Sequence, residues 1–203
     1  MSKSIFQAAH ENDLESLRSL LSEATAVDPE TGWTALHYAA EQNSAEAAQM
    51  LLDAGAAADA RTPHGETPLH LASGEKVARL LLGSAAAQDA DGFTPAERAL
   101  RNGSTALFQV LADGLPESPE YQILRYACKT GRTVQASYRG QSLKFRVATV
   151  GWTMRDERCL AWQADAGWQC LEVRELKDLT LGGPAAELPA DSGPPPECVV
   201  MVH

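Results

Sequence analysis

The chain has 203 residues, 44% hydrophobic and 22% charged, which suits one or two globular domains, each with a core of its own. No run approaches the roughly eighteen apolar residues of a membrane span, and Met1–Ile5 leads into polar His10-Glu11-Asn12-Asp13 without a signal-peptide core, so a soluble cytoplasmic protein is expected. The net charge of −10 is uneven: residues 1–119 carry 7 Lys/Arg against 17 Asp/Glu, residues 120–203 carry 10 of each, and residues 121–158 are locally basic.

In chain order, three strings share one pattern: Gly32-Trp33-Thr34-Ala35-Leu36-His37-Tyr38-Ala39, Gly65-Glu66-Thr67-Pro68-Leu69-His70-Leu71-Ala72 and Gly92-Phe93-Thr94-Pro95-Ala96-Glu97-Arg98-Ala99. The glycine permits the positive φ of a tight turn, the threonine can cap a helix, and proline at the first helical position gives up no needed N–H. Each string therefore starts a helix, and second helices are expected at Leu14–Leu21, Ala45–Leu52, Lys76–Leu82 and Thr105–Leu111, with paired leucines burying against neighbouring repeats.

The first offset, 33 residues, and the Thr-Pro-Leu-His-x-Ala string resemble ankyrin repeats over about residues 4–114, with Ile5-Phe6-Gln7-Ala8-Ala9 as a degenerate opening repeat. The resemblance implies a solenoid of about four repeats that binds a protein partner through turn tips and inner helices. Its variable tip residues are Pro29, Glu30, Trp33, Arg61, His64, Glu66, Asp91 and Phe93. Trp33 and Phe93 either anchor a partner or fold onto the neighbouring repeat. His37 and His70 are read as structural, hydrogen-bonded within their repeats. The second offset is 27 residues, so the third repeat lacks six and its first helix should be about a turn short, either opening a notch or being absorbed by loops. Ala96-Glu97 with Arg98 and Arg101 reads as a cap facing solvent or the next domain.

Gly114–Pro119 is a breaker-rich linker, and Glu120–Lys129 a helix ended by Gly131. Val134, Ala136 and Tyr138, then Leu143, Phe145 and Val147, alternate as strands do. A two-residue turn at Gly140-Gln141 would set Tyr138 against Leu143, Ala136 against Phe145 and Val134 against Val147. A bulge or corner is expected at Ala148-Thr149-Val150, then strands at Val150–Met154, Arg158–Gln163 and Trp168–Val173. Helix, Gly131-Arg132-Thr133-Val134, Tyr138-Arg139-Gly140, Val150-Gly151-Trp152, Arg158-Cys159-Leu160 and Leu171–Leu176 together resemble the WYL domain of bacterial regulators. That resemblance implies an SH3-like or Sm-like barrel which senses nucleotides or nucleic-acid ligands. Two departures stand out: Arg158-Cys159-Leu160 replaces the naming tripeptide, and Gln169 stands where an arginine is expected. Arg139, Lys144, Arg146 and Arg158 form the cationic set that such a ligand would need; otherwise that face is solvated or packs between domains.

Cys128, Cys159, Cys170 and Cys198 are spaced by 31, 11 and 28 positions, unlike a zinc site, and are expected to be thiols rather than metal ligands or disulfides. The Pro/Gly-rich tail, with its apolar end Cys198–His203, is expected to dock as an edge strand on its own barrel or a neighbour's. The fold class is thus α+β multidomain: an ankyrin solenoid at 1–114, a linker at 115–119, a five-stranded WYL-like barrel at 120–181 and a tail at 182–203. No catalytic constellation, metal site or cofactor loop is found. The leading expectation is a non-enzymatic, bacterial-type adaptor or regulator holding a protein partner, with a barrel that senses a ligand or joins subunits into a homo-oligomer. The alternatives are an inhibitor or immunity protein whose acidic repeats mask a basic target, or a regulator binding nucleotide or nucleic acid through the barrel.

Overall fold

The computed structural model describes residues 3–152 and 156–187. The chain forms two compact units, Met1–Pro116 and Glu117–His203.

In the first unit, α1 (Ile5–His10), α3 (Ala35–Glu41), α5 (Pro68–Leu71) and α7 (Pro95–Arg101) pack in one layer. Their successors α2 (Leu14–Ser19), α4 (Ala45–Asp53), α6 (Glu75–Leu80) and α8 (Thr105–Ala112) pack in a second. Every first-layer helix starts with a capping box, in which a hydroxyl and the side chain three residues on satisfy each other's orphan N–H groups. The pairs are Ser4 with Gln7, Thr34 with His37, Thr67 with His70 and Thr94 with Glu97. Buried alanines (Ala8, Ala9, Ala39, Ala40, Ala47, Ala48) let the helices approach closely, and Leu17, Leu36, Leu51, Leu69, Leu81 and Leu111 fill the space between them.

The histidines do more than cap. Nδ1 of His37 accepts the Thr34 N–H at 3.1 Å, so Nε2 holds the proton and donates to the Glu66 carbonyl, 3.2 Å away in the next repeat. His70 repeats this with Thr67 and the Phe93 carbonyl at 3.0 Å. In the last repeat Glu97 takes the histidine's place, accepting the Thr94 N–H at 2.9 Å. Arg98, expected on a cap facing solvent or the next domain, turns back into the stack to pair with Glu66 at 2.6 Å and Asp89 at 2.8 Å.

The third repeat is shortened where the spacing predicts. Helix α5 has 4 residues against 7 in α3 and α7. The missing turn is closed by Ser73, whose N–H donates to the Ala40 carbonyl at 3.3 Å and whose hydroxyl donates to the Glu41 carbonyl at 2.6 Å. The deletion is stitched onto the end of α3 rather than left open.

In the second unit, α9 (Pro119–Thr130) is capped by Ser118 and ended by left-handed Gly131. It packs on an antiparallel sheet of β1 (Arg132–Tyr138), β2 (Gln141–Trp152), β3 (Glu157–Gln163), β4 (Gly167–Glu172) and β5 (Leu176–Pro184), in the order β4-β3-β2-β1-β5. Leu124, Val134, Phe145, Val147, Cys159, Leu171 and Leu176 form its core. The sheet is open among the described residues: β4 and β5 are its edges.

Two strand expectations are corrected. The hairpin turns on Arg139 and Gly140, both at positive φ (50° and 83°), so Ala136 pairs with Leu143 and Val134 with Phe145, two residues from the expected register. A slip of two keeps each side chain on its face, because the strand period is two. The expected strand of Leu143, Phe145 and Val147 runs on without a break through Trp152 as one strand, β2, bulged at Ala148, and the fifth strand is Leu176–Pro184, which returns to pair with β1. The expected strand end at Met154 and the docking of the tail beyond residue 187 lie outside the described residues.

Candidate functional site

Three hairpin tips project from the first unit, closed by Asp28 N–H to the Trp33 carbonyl at 2.7 Å, Thr62 to Glu66 at 2.9 Å and Asp89 to Phe93 at 3.0 Å. Their glycines, Gly32, Gly65 and Gly92, sit at φ of 74°, 74° and 79°. The tips also stack tightly: a Cβ on Gly32 would come within 2.5 Å of the Pro63 ring, and one on Gly65 within 2.9 Å of the Ala90 nitrogen. Ala90 N–H donates to the His64 carbonyl at 2.9 Å, and the Arg61 guanidinium donates to the carbonyls of Gly65 and Gln88 at 2.9 and 2.7 Å. The tips thus form one continuous, rigid edge.

The expected tip residues divide by environment. Pro29, Glu30, His64 and Asp91 are exposed along this edge, and so is Arg61, although its guanidinium is committed to tip carbonyls. Phe93 is half-buried with the Arg101 guanidinium 5.7 Å from its ring centroid. Trp33 is half-buried, its ring 5.0 Å from that of Tyr38. Glu66 is corrected: only 8% exposed, it faces inward to Arg98 and Thr62 and presents no carboxylate to a partner.

A groove of about 510 Å³ opens between the first tip and helices α1 and α3, lined among others by Phe6, His10, Asp28, Pro29, Glu30 and Tyr38. Tyr38 is its fixed centre. Its hydroxyl donates to Asp28 Oδ2 at 2.7 Å and lies 3.0 Å from the Thr31 hydroxyl, while its ring stands 6.2 Å from Phe6 and 6.0 Å, edge-on, from His10. The Glu30 N–H and the Tyr38 hydroxyl hold the Asp28 carboxyl below its usual range, so it is ionised, whereas burial raises the Tyr38 phenol. Glu11, on the groove's rim, pairs with Lys3 at 2.7 Å. Phe6, His10, Asp28 and Tyr38 were not picked out in the sequence. The signal was there for Tyr38, because it fills the variable place between the histidine and alanine of the repeat string, where the other repeats carry Leu71 and Arg98.

The four cations expected to act together in the second unit fall into two pairs, Lys144 with Arg146 on one face of β2 and Arg139 with Arg158 at Glu172. Lys144 is exposed on β2, opposite Gln135. Arg146, on the same face, donates to the Ala186 carbonyl, and its buried Nε has no hydrogen-bond partner among the described residues. Arg139 lies in the turn against Tyr138, 3.4 Å from Glu172. Arg158 sits toward the far end of β2, opposite Gly151, and pairs with Glu172 at 3.2 Å and Asp156 at 3.8 Å. Arg174 joins the same carboxylates and, with its hydrogen bonds, holds Glu172 below the usual carboxylate range. Alternation placed Lys144 and Arg146 on one face, and Asp156 is two residues from Arg158 in the chain, but Glu172 becomes a neighbour of Arg158 only once β3 and β4 pair.

Cysteines 128 and 159 are free thiols, raised by burial. Cys170 is disulfide-bonded, which corrects the expectation of thiols throughout: bonding depends on how sulfurs meet in space, not on sequence gaps. Among the described residues no group of His, Cys, Asp or Glu could hold a metal ion, and no helix is long and apolar enough to cross a membrane.

Stacked helix pairs with a continuous row of hairpin tips define a solenoid repeat protein, a class whose repeats create extended concave surfaces for binding. The family described as Ankyrin repeats (3 copies) matches residues 5–87, and that segment carries ankyrin repeats. The chain is also similar to the E3 ubiquitin-protein ligase KEG of Arabidopsis thaliana, at 40% identity over 67 residues, which is 31% of this chain and 4% of that protein. This chain therefore spans only a small part of that relative's length. The matched family ends before α7 and α8, yet that pair keeps the tip glycine and the capping box of its neighbours. Ankyrin repeats indicate a protein-interaction role.

Proposed function

We propose that this protein is a non-enzymatic binding protein that holds a protein partner on the tips and inner helices of its repeat unit. The observation that carries the reading is the groove at Tyr38, a concave, aromatic and rigid site on the side of the repeats where the tips lie. Exposed Pro29, Glu30, His64 and Asp91 extend the contact along the tips, and Trp33 and Phe93 supply aromatic surface. The acidity of the first 119 residues favours a partner with a basic surface. For the second unit we propose a divergent WYL-like, SH3/Sm-type domain, supported by its leading helix, its meander from β1 to β4 and the return of β5 to β1; in this reading it serves ligand sensing or assembly. The test is affinity capture with the full chain, compared with the variants Trp33→Ala and Tyr38→Ala. A partner retained by the parent and lost from both folded variants supports the reading. A partner lost only on changing Lys144 and Arg158, with both aromatic variants binding normally, refutes it.

A further inference from the structure

We propose that the groove at Tyr38 seats one cationic side chain of the protein partner, an arginine or a lysine; this rests on the protein-binding reading of the repeat face. Its aromatic and acidic parts converge from three elements: Phe6 and His10 on α1, Tyr38 on α3, and Asp28 and Glu30 on the first tip.

The choice of occupant follows from the cost of filling this space. An apolar side chain would gain the ring surfaces of Phe6 and Tyr38 but strip water from the ionised Asp28 carboxylate beside them, with nothing to replace it. An acidic one would meet Asp28 and Glu30 at close range. A cation on a long apolar stem satisfies both halves: the stem or guanidinium plane lies against the rings, whose faces carry negative potential, and the charge meets the acids.

The acids differ in how free they are. Asp28 accepts from Tyr38 and from the Glu30 N–H, so its part is to fix the tyrosine and add negative field. Glu11 already pairs with Lys3, which also holds Asp13 at 2.6 Å. Glu30 is exposed at the groove's mouth, and its carboxylate has neither a hydrogen bond nor an ion pair among the described residues, which leaves it to receive the incoming charge. His10 stands edge-on to Tyr38, with Nδ1 3.3 Å from the Gln42 amide nitrogen and 4.0 Å from Glu41, so its ring adds another edge to the seat. The Tyr38 ring is held from behind by Trp33 and through its hydroxyl by Asp28, so the seat is ordered before anything binds.

The experiment is titration of the full chain with three blocked tripeptides, glycine-arginine-glycine, the same with neutral citrulline, and glycine-leucine-glycine, read by NMR at the Phe6, Tyr38 and Trp33 ring signals. The arginine peptide is expected to shift all three, the citrulline peptide to bind about tenfold more weakly, and added salt to weaken the arginine peptide alone. Glu30→Gln, an exposed change that leaves the packing untouched, should weaken the arginine peptide about three- to tenfold without changing the leucine result. Equal binding of arginine and citrulline, a leucine peptide that binds best, or an unaltered response in Glu30→Gln each overturns the inference. Those results leave the protein-binding reading standing, whereas that reading fails separately if captured partners ignore Trp33→Ala and Tyr38→Ala.

Discussion

The two units hold themselves together at different ranges, and the difference decides what can be read from sequence. In the repeat unit each bond reaches only to the next repeat: His37 to Glu66, His70 to Phe93, Arg98 to Glu66 and Asp89. In the sheet unit the strand that completes the fold comes from the far end, with Arg132 paired to Pro184 and Tyr138 to Leu176. A unit built from neighbours repeats its code every few tens of residues; one closed by distant strands carries that information only in three dimensions.

The largest effect that tests this contrast is expected from Phe145→Ala. Phe145 is 2% exposed in the sheet core, and its loss should cost about 3–5 kcal/mol. Far-UV circular dichroism during melting should show the sheet transition moving while the helical transition stays; movement of both together would mean that the units do not fold separately. Next comes Arg98→Ala, which strands the carboxylates of Glu66 and Asp89, whose side chains are 11% and 1% exposed. The expected loss is about 2–4 kcal/mol in chemical denaturation, with Arg98→Lys intermediate because a single ammonium reproduces the fork poorly.

A smaller effect is set by pH. Burial holds His37 and His70 below the ordinary histidine value, because the fold uses the neutral ring with Nδ1 as acceptor. The unfolded chain takes up the proton at about pH 6.5, so the stabilisation is complete above that pH and is lost progressively as pH falls below it. Urea midpoints for the helical transition should therefore drop between pH 7 and pH 5.5. The double variant His37→Gln, His70→Gln should flatten the drop, since Gln7 already fills the same place in the first capping box. The smallest change concerns the hairpin. Arg139 is held at φ 50° before Gly140, a place that suits asparagine, so Arg139→Asn should raise the midpoint of the sheet transition by an amount equivalent to about 0.5–1 kcal/mol. A loss of stability would show that the contact with Glu172 outweighs the strain of the turn.

Sequence pattern revealed the repeat unit almost in full: the tip glycines, the capping threonines, both helix layers and the short third repeat all follow from local chemistry. It also gave the faces of the β1–β2 hairpin, since alternation is local. It missed the register by two, because Arg139 rather than Gln141 shares the turn with Gly140. It missed β5, because Lys177-Asp178-Leu179-Thr180-Leu181 becomes a strand only beside β1, with Asp178 left-handed at a bulge. At the candidate site, Trp33 and the tip acids were legible as variable positions in a repeat. Glu66 looked equivalent to them, and nothing before the fold is built says that Arg98, 32 residues later, will bury it.

The central claim is that the partner is held by the tips and inner helices of the repeat unit. Hydrogen exchange of the full chain, free and bound to its captured partner, tests it most directly. The account predicts new protection at Ile5–Glu11 and Asp28–Glu41, which carry the groove, with the strands of the second unit unchanged. Protection confined to β1–β5, with both repeat segments exchanging as in the free protein, would contradict it.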